Sequence, residues 1–149
     1  MAANIEIELP ILVIPAYQPA VALVELAQGL VKFPFPKIIV VDDGSTIPAS
    51  KEIFTQLQAL PNIEVLRQAR NMGKGAALKT AFNHVLVHFP HAKGLVTCDA
   101  DGQHRVEDIV RVAEAMGNNP AALVLGVRKF SEAVPLRSRF GNELTKIIF

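Results

Sequence analysis

Residues 96–104 read V-T-C-D-A-D-G-Q-H, and the acidic pair within them is the group best suited to chemistry. Asp99 and Asp101 stand one small residue apart. Two carboxylates held that close repel, which raises a pKa unless a cation lies between them. A divalent metal removes the conflict. Carboxylates and the Gln103 amide oxygen are hard donors, which suit Mg²⁺ or Mn²⁺ better than zinc. His104 adds a nitrogen, although a histidine at a helix start is more often a polar end group. A lone D-x-D is common, and as a polar turn it would need no function. The elements that position it decide between the two readings.

Residues 94–97 form a short apolar run with β-branched members, the pattern of a buried strand ending at Asp99. Residues 11–14, 37–41, 63–66 and 121–126 are runs of the same kind. Apolar spacing predicts helices over residues 20–31, 48–60, 71–88 and 106–116, with Pro48 in a first turn. A further helix is expected from residue 136 onward. Strands alternating with helices predict an α/β fold with a mostly parallel sheet flanked by helices. Ligands of such sheets bind outside the carboxyl ends of the strands. Three polar groups fall at such ends: Tyr17, Asp42 with Asp43, and Asp99 with Asp101. Random polar turns would not favour one end of the sheet.

The chain of 149 residues is the size of one domain, and half of it is hydrophobic. A net charge of +1 offers no field for nucleic acid. One cysteine, Cys98, excludes an internal disulfide and suits a reducing compartment. No run reaches the roughly 20 apolar residues of a membrane span.

Asp42 and Asp43 end a buried strand, where a carboxylate can accept from a base or from ribose hydroxyls. An Asx turn would use the same residues. We assign function to one of them and structure to the other. Gly73-Lys74-Gly75 lacks the spacing of a true phosphate loop, yet glycines opening a helix can present N–H groups to an anion. Close packing of that helix is an equal alternative. Arg128, Arg137 and Arg139 lie beyond the last predicted strand, and a guanidinium fork suits phosphate. His84, His88 and His91 are read as helix surface.

Four motifs occur in order: P-A-Y from Pro15 to Tyr17, V-V-D-D-G-S-T over residues 40–46, N-M-G-K-G-A-A-L over residues 71–78, and D-A-D-G-Q-H over residues 99–104. Together they resemble the family-two glycosyltransferases of Rossmann-like GT-A fold, in particular the dolichyl-phosphate and polyprenyl-phosphate branch. G-V-R at 126–128 and R-S-R-F-G-N at 137–142 point to that branch. The resemblance implies that Pro15, Tyr17 and Asp42 or Asp43 border a nucleoside. It implies that Asp99, Ala100 and Asp101 lie along the sugar and diphosphate, with Lys74 also toward the donor. Asp99, Asp101 and Gln103 would hold Mg²⁺ or Mn²⁺, making Asp99 and Asp101 the catalytic pair. Arg128 would face the donor phosphates, and Arg137 and Arg139 the acceptor phosphate. Where the family usually has Asn-Glu after P-A-Y, this chain has Gln18 and Pro19, so one carboxylate contact is lost.

The implied reaction is inverting transfer of a hexose from a UDP- or GDP-sugar to undecaprenyl or dolichyl phosphate, in the cytoplasm or at the cytoplasmic face of a membrane. Relatives run longer, so the chain is expected to be an N-terminal fragment of a single nucleotide-sugar-binding domain, its C-terminal part missing. Its amphipathic end, Leu144, Ile147, Ile148 and Phe149, is expected to meet missing residues, a membrane surface or a second copy. A nucleotidyltransferase would want a Gly-rich loop after the first strand, and residues 15–19 offer none. A phospho-receiver domain places its acidic pair after the first strand, whereas a strand and a helix precede Asp42.

Overall fold

The computed structural model describes residues 9–119 and 122–126. Four strands alternate with four helices: β1 (Ile11–Ala16), α1 (Ala22–Leu30), β2 (Ile38–Asp42), α2 (Pro48–Gln58), β3 (Ile63–Arg67), α3 (Lys74–His88), β4 (Leu95–Thr97) and α4 (Val106–Gly117). All strand pairs are parallel, in the order β3-β2-β1-β4. Every strand therefore ends at the same edge of the sheet.

The apolar runs form strands because helices cover both faces. Leu12, Ile14, Ile38 and Val40 face a layer built from α1, α2 and α4, with Leu23, Leu30, Leu57 and Ile109 among its buried members. Ile11, Val13, Ile39 and Val41 point the other way and pack under α3. Ala77 and Ala81 are the small residues that let α3 approach the sheet closely. Each fully buried Leu, Ile or Val contributes about 1.5–3 kcal/mol relative to exposure. This two-sided burial explains why β1 and β2 read as unbroken hydrophobic runs.

The strand order places a reversal beside β1. From β1 the chain steps outward through β2 to β3, then α3 crosses the opposite face and returns to β4 on the other side of β1. The loops leaving β1 and β4 therefore lie side by side where the strand order reverses, both leading to helices of the same layer, and a crevice opens between them at the carboxyl edge.

The expected strand over residues 121–126 does not form in the described part of that segment. Residues 122–126 have no ladder partner, and Leu123 and Leu125 are 86% and 71% exposed. An apolar run becomes a strand only where an edge and a covering layer take up its side chains. The edge available here, β4, is only three residues long. The helix from residue 136, Arg128, Arg137, Arg139 and the apolar end at Leu144, Ile147, Ile148 and Phe149 lie outside the described residues.

Candidate functional site

The crevice between the ends of β1 and β4 is a cleft of about 530 Å³, within the range of small-molecule sites. Residues 15–20 form one wall, Asp99, Ala100 and Asp101 the other, and Asp43 and Lys74 the floor and rim. The sheet brings together Pro15, Tyr17, Asp43, Lys74, Asp99, Ala100 and Asp101 from four separate stretches of chain. A second hollow, lined by Leu9, Pro36 and Phe89 among others, shares none of these residues.

The two adjacent aspartates at the end of β2 divide their work. Asp42 is buried; its Oδ1 accepts the Ser45 amide at 2.7 Å and its Oδ2 lies 3.4 Å from Arg67 Nε. It closes the turn over residues 42–45 and does not line the cleft. Asp43 does, and its two oxygens each accept a backbone amide at 2.8 Å, from Met72 and from Gly73. It thereby ties the end of β2 to the start of α3. Gly44 makes this crossing feasible. It has φ +70°, and a Cβ there would stand 2.2 Å from the Arg70 carbonyl carbon.

Tyr17 is half exposed at the cleft mouth. Gln18 adopts φ +46°, a left-handed conformation uncommon outside glycine. Its amide donates to Ser45 Oγ at 2.8 Å, and its side-chain Nε2 reaches Tyr17 Oη at 3.1 Å and Thr46 Oγ1 at 3.4 Å. Gln18 therefore fixes the Tyr17 ring against the D-D-G-S-T turn. Sequence reasoning named Gln18 only as a departure from a pattern; its positive φ leaves no mark in the residue type.

On the far wall, Lys74 Nζ sits 2.5 Å from Asp99 Oδ1. Lys74 opens α3 and Asp99 follows β4, so the pair joins two separate elements on one side of the cleft. Asp101 Oδ1 accepts the Gln103 amide at 2.9 Å, forming an Asx turn through Gly102 at φ +75°. Gln103 is exposed on that turn and is not part of the cleft lining. Behind the pair, burial pushes the Cys98 thiol from its ordinary 9.0 up to about 12. The negative charges of Asp99 and Asp101 add to that rise, and Lys74 opposes it.

Among the described residues no three His, Cys, Asp or Glu side chains converge on one point. Asp99 and Asp101 nevertheless supply two carboxylates to one cleft, the number a Mg²⁺-type site draws from protein when substrate phosphates provide the rest. The Lys74 ammonium shows that a cation fits against Asp99. The histidines part from expectation at one position. His84 is mostly buried, with Nε2 2.9 Å from Glu64 Oε1, because α3 lies across the sheet there. None of His84, His88 and His91 lines the cleft.

The pattern of Glycosyl transferase family 2 matches residues 11–146. The UDP-N-acetylglucosamine–dolichyl-phosphate N-acetylglucosaminyltransferase of Methanococcus voltae is 29% identical over 147 residues, covering 88% of this chain and 58% of that protein. A dolichyl-phosphate β-glucosyltransferase of Trichomonas vaginalis is 32% identical over 102 residues, covering 64% of this chain and 29% of its own length. The chain spans between 29% and 59% of the length of the curated relatives it matches. In structure it resembles a mannosyltransferase of Pyrobaculum calidifontis solved with GDP-mannose and Mn²⁺, at TM-score 0.58 and 19% identity, over 73% of this chain and 32% of that one. That likeness establishes the GT-A arrangement of a parallel sheet between helices.

Proposed function

The chain belongs to glycosyl transferase family 2, and we propose that its cleft binds a nucleoside diphosphate sugar whose hexose is transferred, with inversion, to a polyprenyl phosphate. One observation carries this reading. At the topological switch point, Asp43, Lys74, Asp99 and Asp101 converge on a cleft also walled by Pro15 and Tyr17.

In this reading the nucleoside lies between Pro15, Tyr17 and Asp43. Asp43 keeps lone pairs for a base or ribose donor while its backbone contacts hold it still. Tyr17 offers a ring for stacking, oriented by Gln18. The diphosphate runs toward Lys74 and the Asp99-Ala100-Asp101 wall, with Arg128 also facing it. Asp99 and Asp101, with Gln103 from the turn beyond, would hold Mg²⁺ or Mn²⁺, which supplies Lewis-acid neutralisation of the leaving diphosphate. Arg137 and Arg139 would bind the acceptor phosphate.

An acceptor phosphate is anionic near neutral pH and needs no base to become a nucleophile. The residues therefore position rather than deprotonate, and in-line attack inverts the anomeric carbon. Positioning of this kind can supply about 7–11 kcal/mol of barrier reduction. Among the described residues no helix is long and apolar enough to cross a membrane. A lipid-linked acceptor places the reaction at a membrane surface, on its cytoplasmic face. The dolichyl-phosphate transferases among the relatives support the acceptor class, and the GDP-mannose and Mn²⁺ of the structural neighbour support the donor class.

The test is a calorimetric panel of UDP- and GDP-hexoses with and without Mn²⁺. Metal-dependent binding of one nucleotide class is expected, weakened in Asp101→Asn. Absence of binding across the panel in saturating metal would overturn the reading.

A further inference from the structure

Lys74 and Asp99 lie 25 residues apart in sequence and meet in the cleft lining at 2.5 Å. Both remain open to solvent, with side-chain exposures of 60% and 43%. Resting on the donor reading above, we propose that Lys74 is the cleft's own counter-cation, which blocks divalent metal at Asp99 until a diphosphate draws it away.

Two cations cannot share one carboxylate oxygen at these distances. A metal ligated by Asp99 Oδ1 would sit about 2.0–2.1 Å from it, against the ammonium already there. The occupants are therefore mutually exclusive at that oxygen. The ion pair is exposed, and exposed pairs are weak, so Lys74 can leave when a better anion arrives. It already lines the same cleft as Asp99 and Asp101. The lysine stem is flexible and its ammonium binds phosphate as a point charge. A diphosphate in the cleft would offer Lys74 a doubly charged partner and release Asp99 for the metal. By linkage, the diphosphate strengthens metal binding and the metal strengthens diphosphate binding by the same factor.

The experiment measures free Mn²⁺ by electron paramagnetic resonance during titration of the protein, without nucleotide and with saturating UDP or GDP. Lys74→Met removes the competing charge and keeps the length of the side chain. It is expected to bind Mn²⁺ alone about two- to fivefold more tightly than the parent, the range an exposed ion pair implies. The factor by which nucleotide tightens Mn²⁺ binding should shrink by a similar amount. Lys74→Arg retains the charge and is expected to restore the parent's weak Mn²⁺ binding. Lys79→Met, on the same helix and exposed, removes an equal charge elsewhere and is expected to change nothing.

If Lys74→Met binds Mn²⁺ alone no more tightly than the parent, Lys74 does not occupy the metal position. An equal gain in Lys79→Met would reduce the effect to net charge and likewise overturn the proposal. A parent that binds Mn²⁺ in neither titration would instead overturn the metal-dependent donor reading on which the proposal rests.

Discussion

Asp43 and Gly73 are 30 positions apart, and Asp43 Oδ2 accepts the Gly73 amide at 2.8 Å. With the matching bond from Met72 to Oδ1, one buried carboxylate organises the entry to α3. The contact holds Lys74, the next residue, at the rim of the cleft. A residue of the cleft lining is thus also a brace for the loop that carries Lys74.

Asp43→Asn should therefore fail in two ways. Its single carbonyl oxygen can serve one of the two amides, and its NH₂ group then faces the other donor. A lost hydrogen bond to a charged group costs about 1.5–3 kcal/mol, and that loss is expected in urea unfolding. Nucleoside diphosphate affinity should fall by about tenfold, equivalent to about 1.4 kcal/mol. Unchanged affinity in a destabilised variant would leave Asp43 a brace alone.

Asp42 gives the contrasting case. Its oxygens serve Ser45 and Arg67, away from the cleft. Asp42→Asn should lower stability by about 1–3 kcal/mol through a weakened bond from the Ser45 amide and a weakened Arg67 contact. Folded protein at low temperature should bind UDP or GDP as the parent does. A selective loss of nucleoside binding at full stability would reverse the roles of the two residues.

Much of this arrangement was legible in the residues. β1, β2 and β4 follow from apolar runs because the sheet is covered on both faces. The cleft follows from polar residues at strand ends because parallel strands end together. Asp42 and Asp43 could not be told apart, since successive residues at a strand end point in opposite directions and the loop beyond β3 decides what each meets. The Lys74–Asp99 pair was equally hidden. Its members belong to different elements, and only the return of α3 to the far side of β1 makes them neighbours. Residues 122–126 misled because an apolar run states what could be buried, not whether a partner edge exists.

Gly44 is the point where the loops after β2 and β3 touch, and its substitution separates backbone fit from side-chain chemistry. Gly44→Ala adds a Cβ 2.2 Å from backbone that cannot swing aside, at a φ of +70° that disfavours alanine. Strain of this kind costs about 1–3 kcal/mol before the clash is counted. The expected outcome is a lowered unfolding midpoint together with weaker nucleotide binding, because the shifted 70–73 loop loses its bonds to Asp43. Wild-type stability would show that the two loops do not meet as described.

Cys98 makes stability depend on alkaline pH, and the sign follows from its shift. Burial, with Asp99 and Asp101 adding to it, raises the thiol from 9.0 to about 12 in the folded chain. Folding therefore favours the neutral thiol. Its contribution is complete below pH 9, where the thiol is neutral in folded and unfolded chains alike. Above pH 9 the unfolded chain loses its proton first, and stability declines until the folded thiol also ionises near pH 12. Within that window the slope approaches about 1.4 kcal/mol per pH unit for one group. Cys98→Ala removes this titration and should flatten the decline by that amount, measured by urea unfolding from pH 8 to 10.5. The same burial should make native Cys98 react with iodoacetamide far more slowly than the unfolded chain at pH 8.5, since the thiolate is the nucleophile. Equal alkylation rates in the two states, or an unaltered pH slope in Cys98→Ala, would show that the thiol is not held neutral behind the acidic wall.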